Sequence, residues 1–217
     1  MSATYSEQAP AKINLFLHVT GKRDDGYHLL ESLVCFTSVG DVLTGELRDD
    51  GNITLSITGP MGNGLAREDT NDNLVMQAAR MLQRETGTEL GANLILDKRL
   101  PIASGIGGGS ADAAAAIRLL CDMWKLDLDH QALSRIALSL GADVPVCLHG
   151  QTCLMSGIGD ELTDLADLPP IPMLLINPGK AVSTPEIFKA REDEGFSQSG
   201  LWDTSQQFNS GAALADA

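Results

Sequence analysis

The sequence predicts an α+β protein, in which strands come first along the chain and helices follow. Residues 9–58 contain short segments in which apolar and polar residues alternate, which is the period of a half-buried strand. Much of residues 73–140 instead repeats apolar residues every three or four positions, as a helix facing a core does. With 217 residues, the chain can form one large domain or two small ones.

Four strands are predicted in the first part of the chain, and apolar and polar residues alternate in the first and the fourth of them. These segments are residues 9–19, 30–36, 41–47 and 52–58. A charged turn over residues 20–26 separates the first two strands, and a glycine-rich stretch follows the fourth. The chain is therefore expected to begin with a sheet.

The middle of the chain is predicted to form three helices and one further strand. Asn71 or Asp72 is expected to cap the first helix, and Gly87 is expected to end it. The strand precedes a glycine-rich loop, and the second helix follows that loop. The predicted helices are residues 73–86, 111–125 and 130–140, and the predicted strand is residues 92–100.

The last third of the chain contains shorter predicted elements. We expect strands at residues 144–148 and 152–156, a short buried strand at residues 173–176 and a short helix at residues 184–190. A bend at residues 157–159 marks the expected domain boundary. It divides the chain into an N-terminal domain of residues 1–157 and a C-terminal domain of residues 158–217.

The composition argues against several classes of protein. A net charge of −14 disfavours a nucleic-acid partner, because duplex binding needs a basic face. No apolar run reaches the roughly 20 residues that a spanning helix needs, and the N-terminus does not resemble a secretion signal. Four widely spaced cysteines favour reduced thiols in a cytoplasmic protein over metal ligands or disulfides.

Residues 101–112 combine a glycine-rich loop with the start of an alanine-rich helix. Glycine lets the backbone approach a ligand closely, and a helix N-terminus attracts anions, so this segment predicts a phosphate site. It lacks the lysine that follows the last glycine of a P-loop, and Ser110 replaces the third glycine of the dinucleotide-binding pattern. A flexible linker is the alternative, but such linkers do not lead into a strong helix.

This loop resembles the ATP loop of the GHMP superfamily, which includes galactose, homoserine, mevalonate and phosphomevalonate kinases. That loop begins with proline and continues, after three intervening residues, with glycine, an apolar residue, and further glycine and serine residues. The resemblance implies that the segment binds ATP. Its residues are Pro101, Ile102, Ala103, Ser104, Gly105, Ile106, Gly107, Gly108, Gly109, Ser110 and Ala111.

Three other segments resemble the same superfamily. Ala-Pro-Ala-Lys-Ile-Asn at residues 9–14 is similar to its N-terminal substrate motif. Gly-Tyr-His-Leu at residues 26–29 and Gly-Ala-Asp-Val-Pro-Val at residues 141–146 resemble one branch, whose small-molecule substrate carries a cytidine diphosphate. The resemblance implies that Asp143 accepts or orients the proton of the substrate hydroxyl, and that Lys12 stabilises charge beside it. It implies the substrate-binding residues Asn14, Tyr27, His28, Pro185 and Phe188.

Without the resemblance, the same residues have simpler structural explanations. Asp143 could make a local hydrogen bond in a turn, and Lys12 could be solvated on the polar face of its strand. Ser110 could cap the following helix, and Asp112 could complement the helix dipole. Tyr27 and His28 could belong to an exposed turn, and Phe188 could pack in the core beside a helix. The resemblance favours the functional interpretation for Lys12 and Asp143.

The resemblance implies a two-domain GHMP-kinase-like α+β fold, with an N-terminal domain like domain 2 of ribosomal protein S5. It implies phosphorylation of an alcohol with ATP and Mg²⁺, in the non-mevalonate isoprenoid pathway. The sequence lacks the family's third glycine-rich motif, of the Gly-Ser-Gly-Ala type, so we expect a shortened C-terminal domain. The alternatives are another GHMP small-molecule kinase and a non-catalytic nucleotide-binding fragment.

Overall fold

The computed structural model describes residues 3–65, 70–102, 104–165, 168–177, 184–193, 195–197 and 210–215. Contacts divide the chain into two units, and each unit is discontinuous in sequence. Unit 1 comprises residues 1–12 and 37–149, and unit 2 comprises residues 13–36 and 150–217. Two long strands, β1 (Thr4–Lys22) and β2 (His28–Arg48), pair with each other and contribute residues to both units.

These units differ from the two consecutive domains expected from the sequence. The first half of β2 and most of β1 group with the C-terminal part of the chain, because their residues contact that part. The expected boundary near residue 157 lies close to the start of the second segment of unit 2, at residue 150. A division into domains of residues 1–157 and 158–217 stays a prediction about the architecture.

The sheet of unit 1 is mixed. β3 (Ile53–Thr58) runs parallel to β4 (Gly91–Asp97), and β4 runs antiparallel to the second half of β2. In that antiparallel pair Val42 lies opposite Asp97 and Arg48 lies opposite Gly91. The strands predicted at residues 52–58 and 92–100 are therefore confirmed, although β4 ends at Asp97.

β2 is one continuous strand where the sequence predicts two. The predicted break falls at a short stretch that contains Gly40. A Cβ on Gly40 would lie 2.4 Å from the carbonyl oxygen of Ala9, so this glycine permits a close approach of β1. Gly40 is therefore required by packing inside the strand.

Four helices of unit 1 pack against one another. They are α1 (Leu74–Thr86), α2 (Gly108–Trp124), α3 (His130–Leu140) and α4 (Val144–His149). α2 contacts the other three, and the side chains of Ala113–Ala116 are fully buried. A helix that is apolar on nearly all sides belongs in the interior, which explains the alanine-rich sequence of α2. The positions of α1, α2 and α3 agree with the predicted helices.

The helix termini correct two predictions. Asn73 caps α1, because its side chain accepts a hydrogen bond from Val75 N, so the expected caps Asn71 and Asp72 are wrong. α2 begins at Gly108, three residues before the predicted start, and Ser110 therefore lies inside its first turn and does not cap it. Gly87 ends α1 in a left-handed conformation, as predicted.

The strand predicted at residues 144–148 is wrong, since these residues form α4. A short run of apolar residues does not distinguish a strand from a buried helical turn. Pro145 is the second residue of α4, where a missing N–H costs nothing because the first N–H groups of a helix have no intrahelical acceptor. α4 buries Val144, Val146 and Cys147.

Unit 2 contains a small antiparallel sheet. The first half of β2 pairs with β5 (Cys153–Gly157), and β5 pairs with β6 (Glu161–Asp164). Two further helices are α5 (Thr184–Asp193) and α6 (Gly211–Ala215). β5 and α5 were predicted, whereas β6 was missed because its four residues are too polar to give an apolar period.

The buried strand predicted at residues 173–176 is wrong, because these residues have no regular structure and are exposed. Leu174 is 84% exposed and Ile176 is 81% exposed. Within the described ranges, the structure has no helix whose length and apolar character would let it cross a membrane.

Candidate active site

The glycine-rich loop connects β4 to α2 in unit 1. Pro101 follows the strand, and the hydroxyl of Ser104 donates a hydrogen bond of 2.7 Å to the carbonyl oxygen of Pro101. Gly107 caps α2 with a φ of 67°, in the left-handed region that favours glycine. Ala103, one of the predicted loop residues, lies outside the described residues.

The loop and the first turn of α2 form one side of a cleft of about 340 Å³. The backbone N–H groups of Gly108, Gly109 and Ser110 belong to the first turn, where no intrahelical carbonyl accepts from them. Such N–H groups and the positive end of the helix dipole suit a phosphate. The cleft is lined by Leu65, Asp72, Asn73, Leu74, Lys98, Pro101, Ile102, Ser104, Gly105, Gly107, Gly108, Gly109, Ser110 and Asp112.

Lys12 lies directly against this loop. Its backbone N–H donates a hydrogen bond of 3.0 Å to the carbonyl oxygen of Ile106. A Cβ on Gly107 would lie 3.2 Å from the Cβ of Lys12, so the loop needs a glycine at this position to pack against the lysine. The side chain of Lys12 is buried, which excludes the simpler interpretation of a solvated lysine.

Lys12 and Asp143 form an ion pair, as the sequence predicts. The distance from Lys12 Nζ to Asp143 Oδ1 is 2.8 Å. The side chain of Lys12 is 3% exposed and that of Asp143 is 44% exposed. Asp143 directly precedes α4, and its carbonyl oxygen accepts from Cys147 N. The pair therefore presents a fixed carboxylate that a molecule from solvent can reach.

A second buried lysine, Lys98, lines the cleft and belongs to a cluster that was not predicted from the sequence. Lys98 Nζ donates to Asp41 Oδ2 at 2.5 Å and to Asp112 Oδ2 at 2.6 Å. Asp41 Oδ1 also accepts from the backbone N–H groups of Arg99 and Leu100. All three ionisable side chains are buried.

Asp112 was expected to complement the helix dipole at the surface, but it is 4% exposed and paired with Lys98. The pKa of Asp112 is raised to about 7, mainly by burial; Lys98 opposes the rise, and the charge and hydrogen bonding of Asp41 contribute to it. The available signal was Asp41, an acidic residue that directly precedes the apolar residues Val42 and Leu43 in β2. Charged residues are rarely buried without a partner, so Asp41 predicts a cation nearby.

The predicted substrate-binding residues that the structure describes lie in unit 2. The rings of His28 and Phe188 stack, with centroids 4.9 Å apart and planes 15° apart. Tyr27 is 57% exposed in the preceding turn. The buried Oδ1 atom of Asn14 has no hydrogen-bond partner among the described residues. Pro185 belongs to α5, and its side chain lies outside the described part of the structure.

The cysteines contribute no reactive group to the cleft. The structure contains free thiols at Cys35, Cys121, Cys147 and Cys153, as predicted. Burial raises the pKa of the Cys147 thiol, which lies on α4 near Asp143, to about 12. A neutral, buried thiol is a poor nucleophile.

Comparison with known proteins identifies the family. Residues 73–151, which span α1, the glycine loop and Asp143, match the family described as GHMP kinases N terminal domain. The matched part of the chain belongs to the GHMP kinase family. The family resemblance predicted from the sequence is therefore confirmed.

Two curated relatives of this chain share one name. The 4-diphosphocytidyl-2-C-methyl-D-erythritol kinases of Paramagnetospirillum magneticum and Parvibaculum lavamentivorans are 49% and 52% identical to this chain, over 188 and 189 residues. Each alignment covers 87% of this chain and 64% of the relative. The chain thus spans a little under two thirds of the length of these curated relatives.

Solved structures support the GHMP kinase fold. A crystal structure of 4-(cytidine 5'-diphospho)-2C-methyl-D-erythritol kinase matches with a TM-score of 0.73 and 36% identity, over 88% of this chain and 66% of that one. Homoserine kinase from Cytophaga hutchinsonii matches with a TM-score of 0.62 at 21% identity, over 87% of this chain and 60% of that one. The second match concerns the fold alone. The predicted GHMP-kinase-like α+β fold is confirmed.

Proposed function

We propose that this chain phosphorylates the 2-hydroxyl of 4-diphosphocytidyl-2-C-methyl-D-erythritol with ATP, in the non-mevalonate isoprenoid pathway. The observation that carries the proposal is the Lys12–Asp143 pair, joined to the glycine loop by the hydrogen bond from Lys12 N to Ile106 O. Lys12, Asp143 and the glycine loop all belong to unit 1, which supports their proposed roles as a cation, an acceptor for the hydroxyl proton and a phosphate site. The names of the relatives supply the substrate.

In this mechanism the N–H groups at the start of α2 hold the phosphates of ATP. The substrate oxygen forms a bond to the γ-phosphorus, the bond from that phosphorus to the β–γ bridging oxygen breaks, and ADP leaves. Asp143 receives or orients the hydroxyl proton, and Lys12 stabilises negative charge on the transferred group. Because phosphoryl transfer has a loose transition state, positioning by these fixed groups contributes more than a strong base.

Mg²⁺ enters this proposal with the nucleotide. Among the described residues, no group of three or more His, Cys, Asp or Glu side chains is arranged to hold a metal ion. Mg²⁺ in kinases usually keeps several waters and binds substrate phosphates with one or two carboxylates, so a dedicated protein cage is not required. The ion would neutralise charge that develops on the phosphate oxygens.

Unit 2 supplies the groups that we propose for the cytidine part of the substrate. The stacked rings of His28 and Phe188 and the exposed ring of Tyr27 offer flat surfaces for a pyrimidine. Stacking tolerates any base, so polar atoms must select cytosine, and His28 carries ring nitrogens for that purpose. We propose Asn14, with its unpartnered Oδ1, and Pro185 as further substrate-binding residues.

The free cysteines support a cytoplasmic location.

A substrate panel tests the proposed reaction. ADP release is measured with 4-diphosphocytidyl-2-C-methyl-D-erythritol, homoserine, mevalonate and galactose, each with Mg-ATP. We expect release with the first alcohol only, and competition by CDP. Release with another alcohol and none with the cytidine compound would assign the chain to a different GHMP kinase activity.

A second candidate is nucleotide binding without turnover. It is favoured by one observation, since the described residues that line the cleft at the glycine loop do not include Lys12 or Asp143. Calorimetry distinguishes the two candidates. Binding of Mg-ATP together with no ADP release from any alcohol in the panel would support the second candidate and contradict the first.

A further inference from the structure

The Lys98 cluster contains one more carboxylate than its lysine can neutralise. With Asp41 and Asp112 both ionised, the three buried groups carry a net charge of −1. Asp41 is the better place for a negative charge, because it accepts from Lys98 and from two backbone N–H groups. Asp112 receives one hydrogen bond, from Lys98. Of the two carboxylates, Asp112 is the one that gains most from a proton.

The two oxygens of Asp112 differ in a way that locates this proton. Oδ2 accepts from Lys98 Nζ at 2.6 Å. Oδ1 is buried and has no hydrogen-bond partner among the described residues. An unpaired buried acceptor is costly, and a proton on Oδ1 would turn it into a donor. Asp112 also lines the cleft in front of the glycine loop, so its carboxyl group lies beside the proposed nucleotide site.

Most of the ionisable groups around Asp112 are neutral, paired with an opposite charge or exposed to solvent. Cys147 of α4, which senses the charge of Asp112, stays neutral because burial raises its pKa to about 12. The Lys12–Asp143 pair is neutral overall, and Arg118 on α2 pairs with Glu7. The remaining charged groups on the packed helices and at the cleft are Asp72, Arg80, Arg84, Glu85, Asp122, His130 and Arg135, which are exposed to solvent, and His149, which is partly buried at the end of α4.

We propose that Asp112 is a positioning residue for the nucleotide that takes up a proton on Oδ1 when a polyphosphate binds the cleft. The inference rests on the proposed nucleotide site. A buried cluster of net charge −1 beside the first turn of α2 repels the anion that this turn attracts. Protonation brings the cluster to zero charge and provides an O–H group at the wall of the cleft. Nucleotide binding and proton binding then strengthen each other.

The pKa of about 7 for Asp112 in the free protein sets the pH range of the effect. About nine tenths of the molecules hold the proton at pH 6, and about one tenth hold it at pH 8. If the protonated form binds the nucleotide, affinity falls by up to about tenfold between these pH values. At pH 5 the proton is already bound, so nucleotide binding takes up none.

Isothermal titration calorimetry of the full chain with Mg-ADP, in buffers of different ionisation enthalpy, counts the protons taken up. We expect about 0.5 to 0.8 proton per nucleotide at pH 7.5 and almost none at pH 5. Asp112→Asn should take up no proton and should bind with the same affinity at pH 6 and pH 8. Asp122→Asn is the matched control, because this carboxylate on the same helix is exposed and paired with Lys125. It should behave as the native chain does.

Two measurements on the native chain keep the inference testable if Asp112→Asn does not fold. Zero proton uptake at pH 7.5 would overturn it. Infrared difference spectroscopy should show a protonated carboxylic acid band when Mg-ADP binds at pH 7.5, and its absence would also overturn it. No Mg-ADP binding at any pH would instead contradict the proposed nucleotide site. Binding with equal pH dependence in the native chain and Asp112→Asn would contradict this inference alone.

Discussion

Two buried lysines flank the glycine loop, and they differ in the carboxylates that they bind. Lys12 pairs with one carboxylate, Asp143, whose side chain is 44% exposed. Lys98 pairs with two carboxylates, Asp41 and Asp112, whose side chains are 0% and 5% exposed. The first arrangement offers a charged oxygen to an incoming molecule, and the second closes its charges off from solvent. We therefore propose that similar residues serve chemistry at one site and structure and charge balance at the other.

The largest effect on folding is expected from removing the second lysine. Lys98→Met would leave two carboxylates buried without a cation, so we expect the free energy of unfolding at pH 7 to fall by about 3–5 kcal/mol. Urea denaturation measures this loss. A fall below about 1 kcal/mol would contradict the conclusion that Lys98 neutralises a buried cluster.

The matched substitution at the first lysine is expected to act on turnover. Lys12→Met leaves Asp143 partly solvated, so stability should change by at most about 1 kcal/mol. Turnover should fall by about 100- to 1,000-fold, because charge on the transferred group loses its stabilising cation. Steady-state kinetics and urea denaturation of both variants separate these effects. Equal losses of stability in Lys12→Met and Lys98→Met would remove the distinction between the two sites.

Asp112 predicts a specific dependence of stability on pH. Its folded-state pKa of about 7 is raised above the unfolded value, so the folded state binds the extra proton between about pH 4 and pH 7. Stability should therefore decrease as pH rises through this range, by at most about 3 kcal/mol from pH 5 to pH 8. Asp112→Asn should lose this component. Denaturation at several pH values checks the result, and an unchanged slope in the variant would contradict it.

A smaller effect is expected at the glycine that touches Lys12. Gly107→Ala places a side chain at a φ of 67°, and its Cβ would lie 3.2 Å from the Cβ of Lys12. Gly87→Ala is the matched control, because it has the same backbone strain at a φ of 66° but no atom near the added Cβ. Each variant should lose about 1–2 kcal/mol of stability. Gly107→Ala alone should also slow turnover, because it displaces Lys12. Equal turnover rates in the two variants would show that the contact between residue 107 and Lys12 does not affect catalysis.

The sequence was sufficient for the first site and insufficient for the second. The glycine loop, Lys12 and Asp143 were found because each belongs to a local pattern that resembles the family. The Lys98 cluster joins Asp41 and Lys98 across 57 positions, and no local pattern reveals such a contact. Lys98 stood among other charged residues, and Asp112 had an adequate local explanation in the helix dipole.

The errors in the fold have the same physical origin. The strand predicted at residues 144–148 is α4, since a five-residue apolar run carries no reliable period and its packing on α2 and α3 decides its conformation. The predicted break in β2 at Gly40 reflects a packing requirement from Ala9, which is distant in sequence. Longer periodic segments such as α1 and α3 were correct because their own pattern determines which face is buried.

The most direct test of the central claim, that Asp143 beside Lys12 receives the substrate hydroxyl at the glycine loop, is phosphorus NMR of the reaction. Native chain with Mg-ATP and 4-diphosphocytidyl-2-C-methyl-D-erythritol should produce ADP and a new phosphomonoester in equal amounts. Asp143→Asn should produce both at least about 100-fold more slowly, while its affinity for Mg-ADP stays within about twofold of the native value. Undiminished phosphomonoester formation by Asp143→Asn would contradict the account.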